Sequence, residues 1–110
     1  MAKIAVASSD GLTVNEHFGH ANFLRIYEID GTESRFIEIR DVVAACQHSF
    51  GHDETKFERI VSLISDCDAL FVKKIGPGAA EYLISRNVRV FEVNAGIDAL
   101  LNKIIQDKLI

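Results

Sequence analysis

The order of its apolar segments predicts an α/β protein: a mixed five-stranded sheet, strand order 3-2-1-4-5, with helices on its faces and elements running β-β-β-α-β-α-β-α. Two observations lead there. Asn22–Ile29 and Arg35–Asp41 read as strands flanking an Asp30-Gly31 turn, which makes a hairpin. Beyond Asp53 helical and strand periods alternate, as in parallel strands joined by helical crossovers.

Lys3–Ser9 (KIAVASS) is a short apolar run of small and β-branched residues, suited to a strand covered on both faces. Asp10-Gly11 breaks it, and 10–21 shows neither period, so a loop of about a dozen residues is expected there. In Arg35–Asp41, Ile37 and Ile39 alternate with Glu38 and Arg40, as in an edge strand with one wet face. A second aperiodic stretch covers Val42–His52. Asp53 then reads as an N-cap with Glu54 in the first helical turn, and Phe57, Ile60, Val61 and Ile64 form the buried stripe. Ala69–Val72 is a continuous apolar strand. Gly76-Pro77-Gly78 opens a helix that turns Tyr82 and Leu83 inward and ends at Asn87. Val88–Val93 is the last strand, and Asn94 caps a final helix with Ile97, Leu100, Leu101 and Ile104 on one side.

With 110 residues, 48% hydrophobic and 25% charged, the chain is long enough for one domain with its own core. A formal charge of -4 gives no footprint for nucleic acid or an anionic membrane. No apolar run is long enough to span a bilayer and no basic-then-apolar leader is present, so neither a membrane nor a secreted setting is expected. Two cysteines, Cys46 and Cys67, are too few for a disulfide scaffold and suit a reduced, cytoplasmic setting.

The chemistry-bearing residues fall into two segments. Asn15-Glu16-His17-Phe18-Gly19-His20-Ala21 holds two of the four histidines, and Cys46-Gln47-His48-Ser49-Phe50-Gly51-His52 holds the others and a thiol. Strand polarity predicts that they meet. If the first strand ascends, the His17–His20 loop lies at the top; the second strand descends and the third ascends, so its exit lies at the top too. The later strands run parallel to the first, which brings Lys73, Lys74 and the Gly76-Pro77-Gly78 helix start to the same rim. In open α/β sheets that rim is the usual ligand side.

Imidazole and thiolate suit iron, zinc, copper and iron–sulfur centres, while a helix start with two lysines favours anions. A metal-containing anion uses both. Each feature also has a plainer reading. His17 and His20 could shape the turn around Gly19, and His48 and His52 could shield the following helix start. Cys46 could be a small loop hydrophobe, and Cys67, continuing the Ile60–Ile64 stripe, reads as a buried structural thiol. Gly76 and Gly78 could simply connect strand to helix, Lys73 and Lys74 could be solvated, and Asn15 and Glu16 could be surface residues rather than partners that orient the histidines.

Ile4–Asp10, the Val14-Asn15-Glu16-His17-Phe18-Gly19-His20-Ala21 stretch and Phe23–Glu28 resemble the dinitrogenase iron–molybdenum cofactor biosynthesis family, which includes NifX-like carriers and the C-terminal domain of NifB proteins. The likeness continues through Asp66-Cys67-Asp68, Ile75-Gly76 and Gly96-Ile97. It implies a ribonuclease-H-like fold and non-catalytic binding of an iron–sulfur or iron–molybdenum cluster precursor, held transiently for a protein partner in cofactor assembly. By position, His17 and His20 are then the prime cluster contacts, with Cys46, His48 and His52 in a segment that varies among relatives; His17, His20 and Cys46 are the metal-ligand candidates.

The chemistry agrees with a carrier. Building a four-iron cluster usually takes about four thiolates, whereas a preassembled cluster brings its own sulfides and needs only one or two protein ligands. The alternatives are a binder of a single transition-metal ion and, third, a nuclease. The last needs clustered carboxylates, and Asp10 and Asp68 are expected at opposite ends of adjacent strands.

Overall fold

The computed structural model describes residues 2–42 and 56–108, with the side chains of residues 20, 56 and 57 outside that description. Five strands form one sheet: β1 (Ala2–Ala7), β2 (Phe23–Asp30), β3 (Glu33–Asp41), β4 (Ala69–Val72) and β5 (Val90–Glu92). Three helices accompany them: α1 (Lys56–Leu63), α2 (Pro77–Ser85) and α3 (Ile97–Asp107). The strand order is β3-β2-β1-β4-β5. β2 runs antiparallel to both β1 and β3, and β4 runs parallel to β1 and β5. The expected order and polarity are therefore those observed.

The sheet is covered on both faces because its central strands are apolar on both. Ala5, Ala7, Leu24, Ile26, Leu70 and Val72 pack with Ile60 and Ile64 of the α1 segment and with Leu83 of α2. On the other face Ile4, Val6, Tyr27, Ile29 and Phe71 meet Ile97, Leu100, Leu101 and Ile104 of α3. Alternation along β1 sends successive side chains into different cores, which is why a run without polar residues is needed there.

Several boundaries shift for local reasons. β1 stops at Ala7, because the Ser8 hydroxyl accepts the Gly11 N–H and donates to Asp10 instead of the chain continuing in the sheet. The hairpin turn is Gly31-Thr32, with Asp30 paired to Glu33; Gly31 takes a φ of +64°, which glycine adopts without a side-chain penalty. Asn94 does not cap α3. Gly96 holds that position, and a glycine N-cap contributes no side-chain bond. Asn87 does close α2, at a φ of +64°, as the Val88 N–H reaches back to the Leu83 carbonyl. Leu83 is fully buried there, and Tyr82 is half-buried.

The edge strand departs furthest from expectation. β3 was expected to keep Ile37 and Ile39 dry, yet they are 39% and 47% exposed, and Phe36 is 47% exposed. A bulge opposite Ile26/Tyr27 shifts the register, so Phe36 lies across from Tyr27 and Ile39 across from Arg25. These positions share the face carrying α3, which packs over the central strands and leaves β3 uncovered. The Asp53 cap, Glu54 and the buried side of Phe57 lie outside the described residues.

Candidate functional site

The loop between β1 and β2 is built into the sheet's upper rim rather than draped over it. Asp10 starts it: its carboxylate accepts N–H bonds from Leu12 and Thr13, which hold its pKa down at about 2. Asn15 braces the same turn, accepting from the Ser9 N–H and donating to the Ser9 hydroxyl. Glu16 then runs beside β4 through its backbone, its N–H donating to the Ala7 carbonyl and its carbonyl accepting from the Lys73 N–H. The Phe18 N–H donates to the Lys74 carbonyl at 2.9 Å, completing a parallel bridge between His17 and Lys74.

Phe18 explains why this holds. It is 1% exposed, among Ala5, Ala7 and Leu24, and an aromatic side chain at that depth anchors the loop. With Phe18 turned inward, His17 and Gly19 on either side are exposed. A single 3₁₀ turn, Phe18–His20, then leads into β2. The loop expected to lack structure is thus pinned at both ends and at its centre.

Across from it α2 begins with Pro77 behind Gly76, and no side chain caps its first turn. The early N–H groups of a helix, here those of Gly78 and Ala79, have no acceptor within the helix. Gly19, Gly76 and Gly78 all have open space where a side chain would stand, and none has a positive φ. Their backbones do not demand glycine. What the missing side chains leave is bare main chain along a groove.

That groove has a volume of about 570 Å³ and is lined by His17, Phe18, Gly19, Lys74, Ile75, Gly76, Gly78 and Ala79. One imidazole, one ammonium and a helix start face a partly apolar floor. Glu92, from the end of β5, accepts the Ile75 N–H at 2.9 Å and fixes the segment between β4 and α2. Glu92 and Phe18 were not singled out as site residues from sequence. A large aromatic between two histidines in an otherwise polar loop was a usable signal, whereas Glu92 depended on the β4–β5 register.

Of the expected site residues, His17, Lys74, Gly76 and Gly78 line one groove. Lys73 is exposed beside it and joins the loop through its backbone, as does Glu16; Asn15 serves the Ser9 turn. His20 belongs to the 3₁₀ turn, with its side chain outside the described residues. Cys46, His48 and His52 also lie outside them. The strand leading to that segment does end at the same rim: Asp41 pairs with Phe23, and the Val42 N–H donates to the Asn22 carbonyl at 2.9 Å. Among the described residues, no three His, Cys, Asp or Glu side chains form a group able to hold a metal ion. Asp10 follows the carboxyl end of β1, whereas Asp68 accepts the Lys3 N–H at the amino end of β4. They stand at opposite ends of the sheet.

Residues 1–107 match the family model described as dinitrogenase iron-molybdenum cofactor. The chain belongs to this family. It is 35% identical over 103 residues to the FeMo cofactor biosynthesis protein NifB of Frankia alni, covering 92% of this chain and 20% of that protein. It is 33% identical over 82 residues to protein NifX of Rhodobacter capsulatus, covering 71% of this chain and 51% of NifX. Protein NifY of Klebsiella pneumoniae is 32% identical over 92 residues, covering 84% of this chain and 38% of NifY. The chain therefore spans about a fifth of that NifB and about half of that NifX. Among solved structures, PH0822 superposes with a TM-score of 0.70 at 19% identity, covering 96% of this chain and 90% of the other. A protein of Methanocaldococcus jannaschii described provisionally as a dinitrogenase gives 0.63 at 14% identity, covering 96% and 89%. At those identities the superpositions speak for the fold. No described helix is long and apolar enough to cross a membrane.

Proposed function

We propose that this protein is a non-catalytic carrier, binding a preassembled iron–sulfur or iron–molybdenum cluster at the groove between the His17 loop and α2 and passing it to a protein partner in cofactor assembly. The observation that carries this reading is the His17–Lys74 bridge, which seats an exposed imidazole on the groove into which α2 begins. Imidazole ligates iron. Lys74 and the first-turn N–H groups of α2 meet the negative charge of a sulfide-rich cargo. Bare glycine backbone lets a bulky cluster approach, and Phe18, Ile75 and Ala79 give it an apolar wall.

His20, Cys46, His48 and His52 are the further ligands proposed from their places in the sequence, with His17, His20 and Cys46 the ones that contact metal. A hold of few ligands suits release. Names carried by relatives, FeMo cofactor biosynthesis protein NifB among them, agree in substance with this cargo.

The test is anaerobic loading with a preassembled cluster, followed by iron, molybdenum, zinc and sulfide analysis. His17→Ala is expected to weaken loading by at least the roughly tenfold that even outer-shell changes cost at metal sites. Lys74→Ala should weaken it less. Unchanged loading in His17→Ala would overturn the site, and stoichiometric colourless zinc without sulfide would replace the cluster by a single ion.

A further inference from the structure

β3 and β5 are the two edges of the sheet, and they differ in kind. β5 has 3 residues, too short to template another strand, whereas β3 has 9 and pairs on its outer side with no described strand. Its middle carries Phe36, Ile37 and Ile39, exposed by 47%, 39% and 47%, and Phe23 on the neighbouring strand is 41% exposed. Natural proteins blunt such an edge with repelling charges, a bulge or a covering segment, or else pair it with another strand. The charges on β3 distinguish the two cases.

The register with β2 places Glu33, Arg35, Glu38 and Arg40 opposite Asp30, Glu28, Ile26 and Leu24, all on the face covered by α1 and α2. Ser34, Phe36 and Ile39 lie opposite Ile29, Tyr27 and Arg25, on the α3 face. A second β3 laid antiparallel across a two-fold axis normal to the sheet keeps each face on its own side. With Phe36 set against Ile37 of the second copy, Arg35 falls opposite its Glu38 and Glu33 opposite its Arg40. Ser34 falls opposite its Ile39.

By symmetry every contact occurs twice, giving two Arg35–Glu38 pairs around an apolar centre; Arg40, whose side chain is 16% exposed and held by Asp66 and Glu38 of its own copy, adds none. Sliding one copy by two residues sets Arg35 against Arg40 in one direction and Glu33 against Glu38 in the other. Like charges directly opposite destabilise a strand pair, so the strand specifies its own partner and register.

We infer that β3 docks a second copy of this chain, joining two five-stranded sheets edge to edge. At Arg35 and Glu38 the ion pairs within one copy leave room for this. Arg35 reaches Glu28, and Arg40 reaches Asp66 and Glu38, yet the Arg35 and Glu38 side chains remain 69% and 51% exposed. A guanidinium has five N–H donors to share. The bulge at Ile37 sits at the two-fold centre, so both copies meet it identically.

Sedimentation velocity on the full chain, from micromolar to sub-millimolar concentration, is the test. The unaltered protein is expected to dimerise reversibly. Arg35→Glu alone sets two pairs of carboxylates face to face, and Glu38→Arg alone sets two pairs of guanidiniums face to face. Each should dissociate at least about tenfold more readily, from two pairs changed from attraction to repulsion.

Mixing the two variants makes every pair complementary again, so the mixture should form a heterodimer. Ile39→Lys, which strikes the apolar part instead, should also be monomeric, with circular dichroism reporting that each variant keeps its fold. A monomer throughout, dimers indifferent to these substitutions, or a mixture that stays monomeric would each overturn the inference.

Discussion

Two polar regions on this sheet use similar residue types to opposite ends. At the turn after α1, Asp66 accepts from both Arg40 and Lys3, and Arg40 also donates to the Leu63 carbonyl. That pairing holds the Asp66 carboxyl well below the ordinary carboxylate range. Beside it burial, reinforced by the Asp66 charge, pushes the Cys67 thiol up to about 12, so it stays neutral and unreactive. At the groove the polar groups face outward, from a loop whose own stability comes from Phe18 and backbone bonds. One region closes on itself and holds α1 to the sheet; the other is held from beneath and left open above. Polar residues alone do not mark a binding site; what matters is whether they are drawn together against the sheet or set along an open groove.

Phe18→Ala should have the largest effect and break the contrast outright. Emptying a fully buried aromatic site costs about 3 to 5 kcal/mol, read by denaturant unfolding, and cluster loading should fall with it because the His17 bridge loses its anchor. Loading retained after such a loss would mean that Phe18 does not position the groove.

Asp66→Asn sharpens the other side. It should cost about 1 to 2 kcal/mol at neutral pH, a figure held down because the Asp66 side chain is 44% exposed, and leave loading unchanged. The pH dependence has a definite sign. A carboxyl whose folded pKa is depressed contributes fully above its unfolded value, here 3.8, and loses the contribution as pH falls toward the folded value. The gap between the parent and Asp66→Asn should therefore close on acidification below about pH 4. A constant gap would assign the cost to something other than charge.

Gly78→Ala should show the smallest effect and the opposite sign. The position is helical with open space for a methyl group, so stability should rise by about 0.5 kcal/mol in thermal unfolding. Loading should drop as the groove narrows. A variant more stable and equally well loaded would show that bare backbone at residue 78 plays no part.

Much of the fold was legible because hydrophobic period and turn chemistry are local. The run from Ile4 to Ala7 read as a strand buried on both sides, and Gly76-Pro77 as the start of a helix, and both are found. Polarity followed from connection lengths, and with it the convergence of His17, Lys74 and Gly76 on one rim. Errors came where distant contacts decided. Ile37 and Ile39 alternate as though one face were dry, but whether a helix covers an edge strand depends on where α3 crosses the sheet. Asn94 is a better capping residue than Gly96, yet Gly96 lies where Leu12 bonds to the helix start.

By itself the sequence determined which segments are strands and helices, in what direction the strands run, and therefore which rim carries His17. Those properties depend on residue period and loop length, both readable along a chain. Tertiary structure alone decided that Phe18 faces inward, that Glu92 secures the Ile75 backbone and that Asp66 rather than a ligand satisfies Arg40. Each of these depends on the relative placement of distant segments, 17 residues apart for Ile75 and Glu92 and 26 for Arg40 and Asp66, where a shift of one residue in register exchanges the buried and exposed sides.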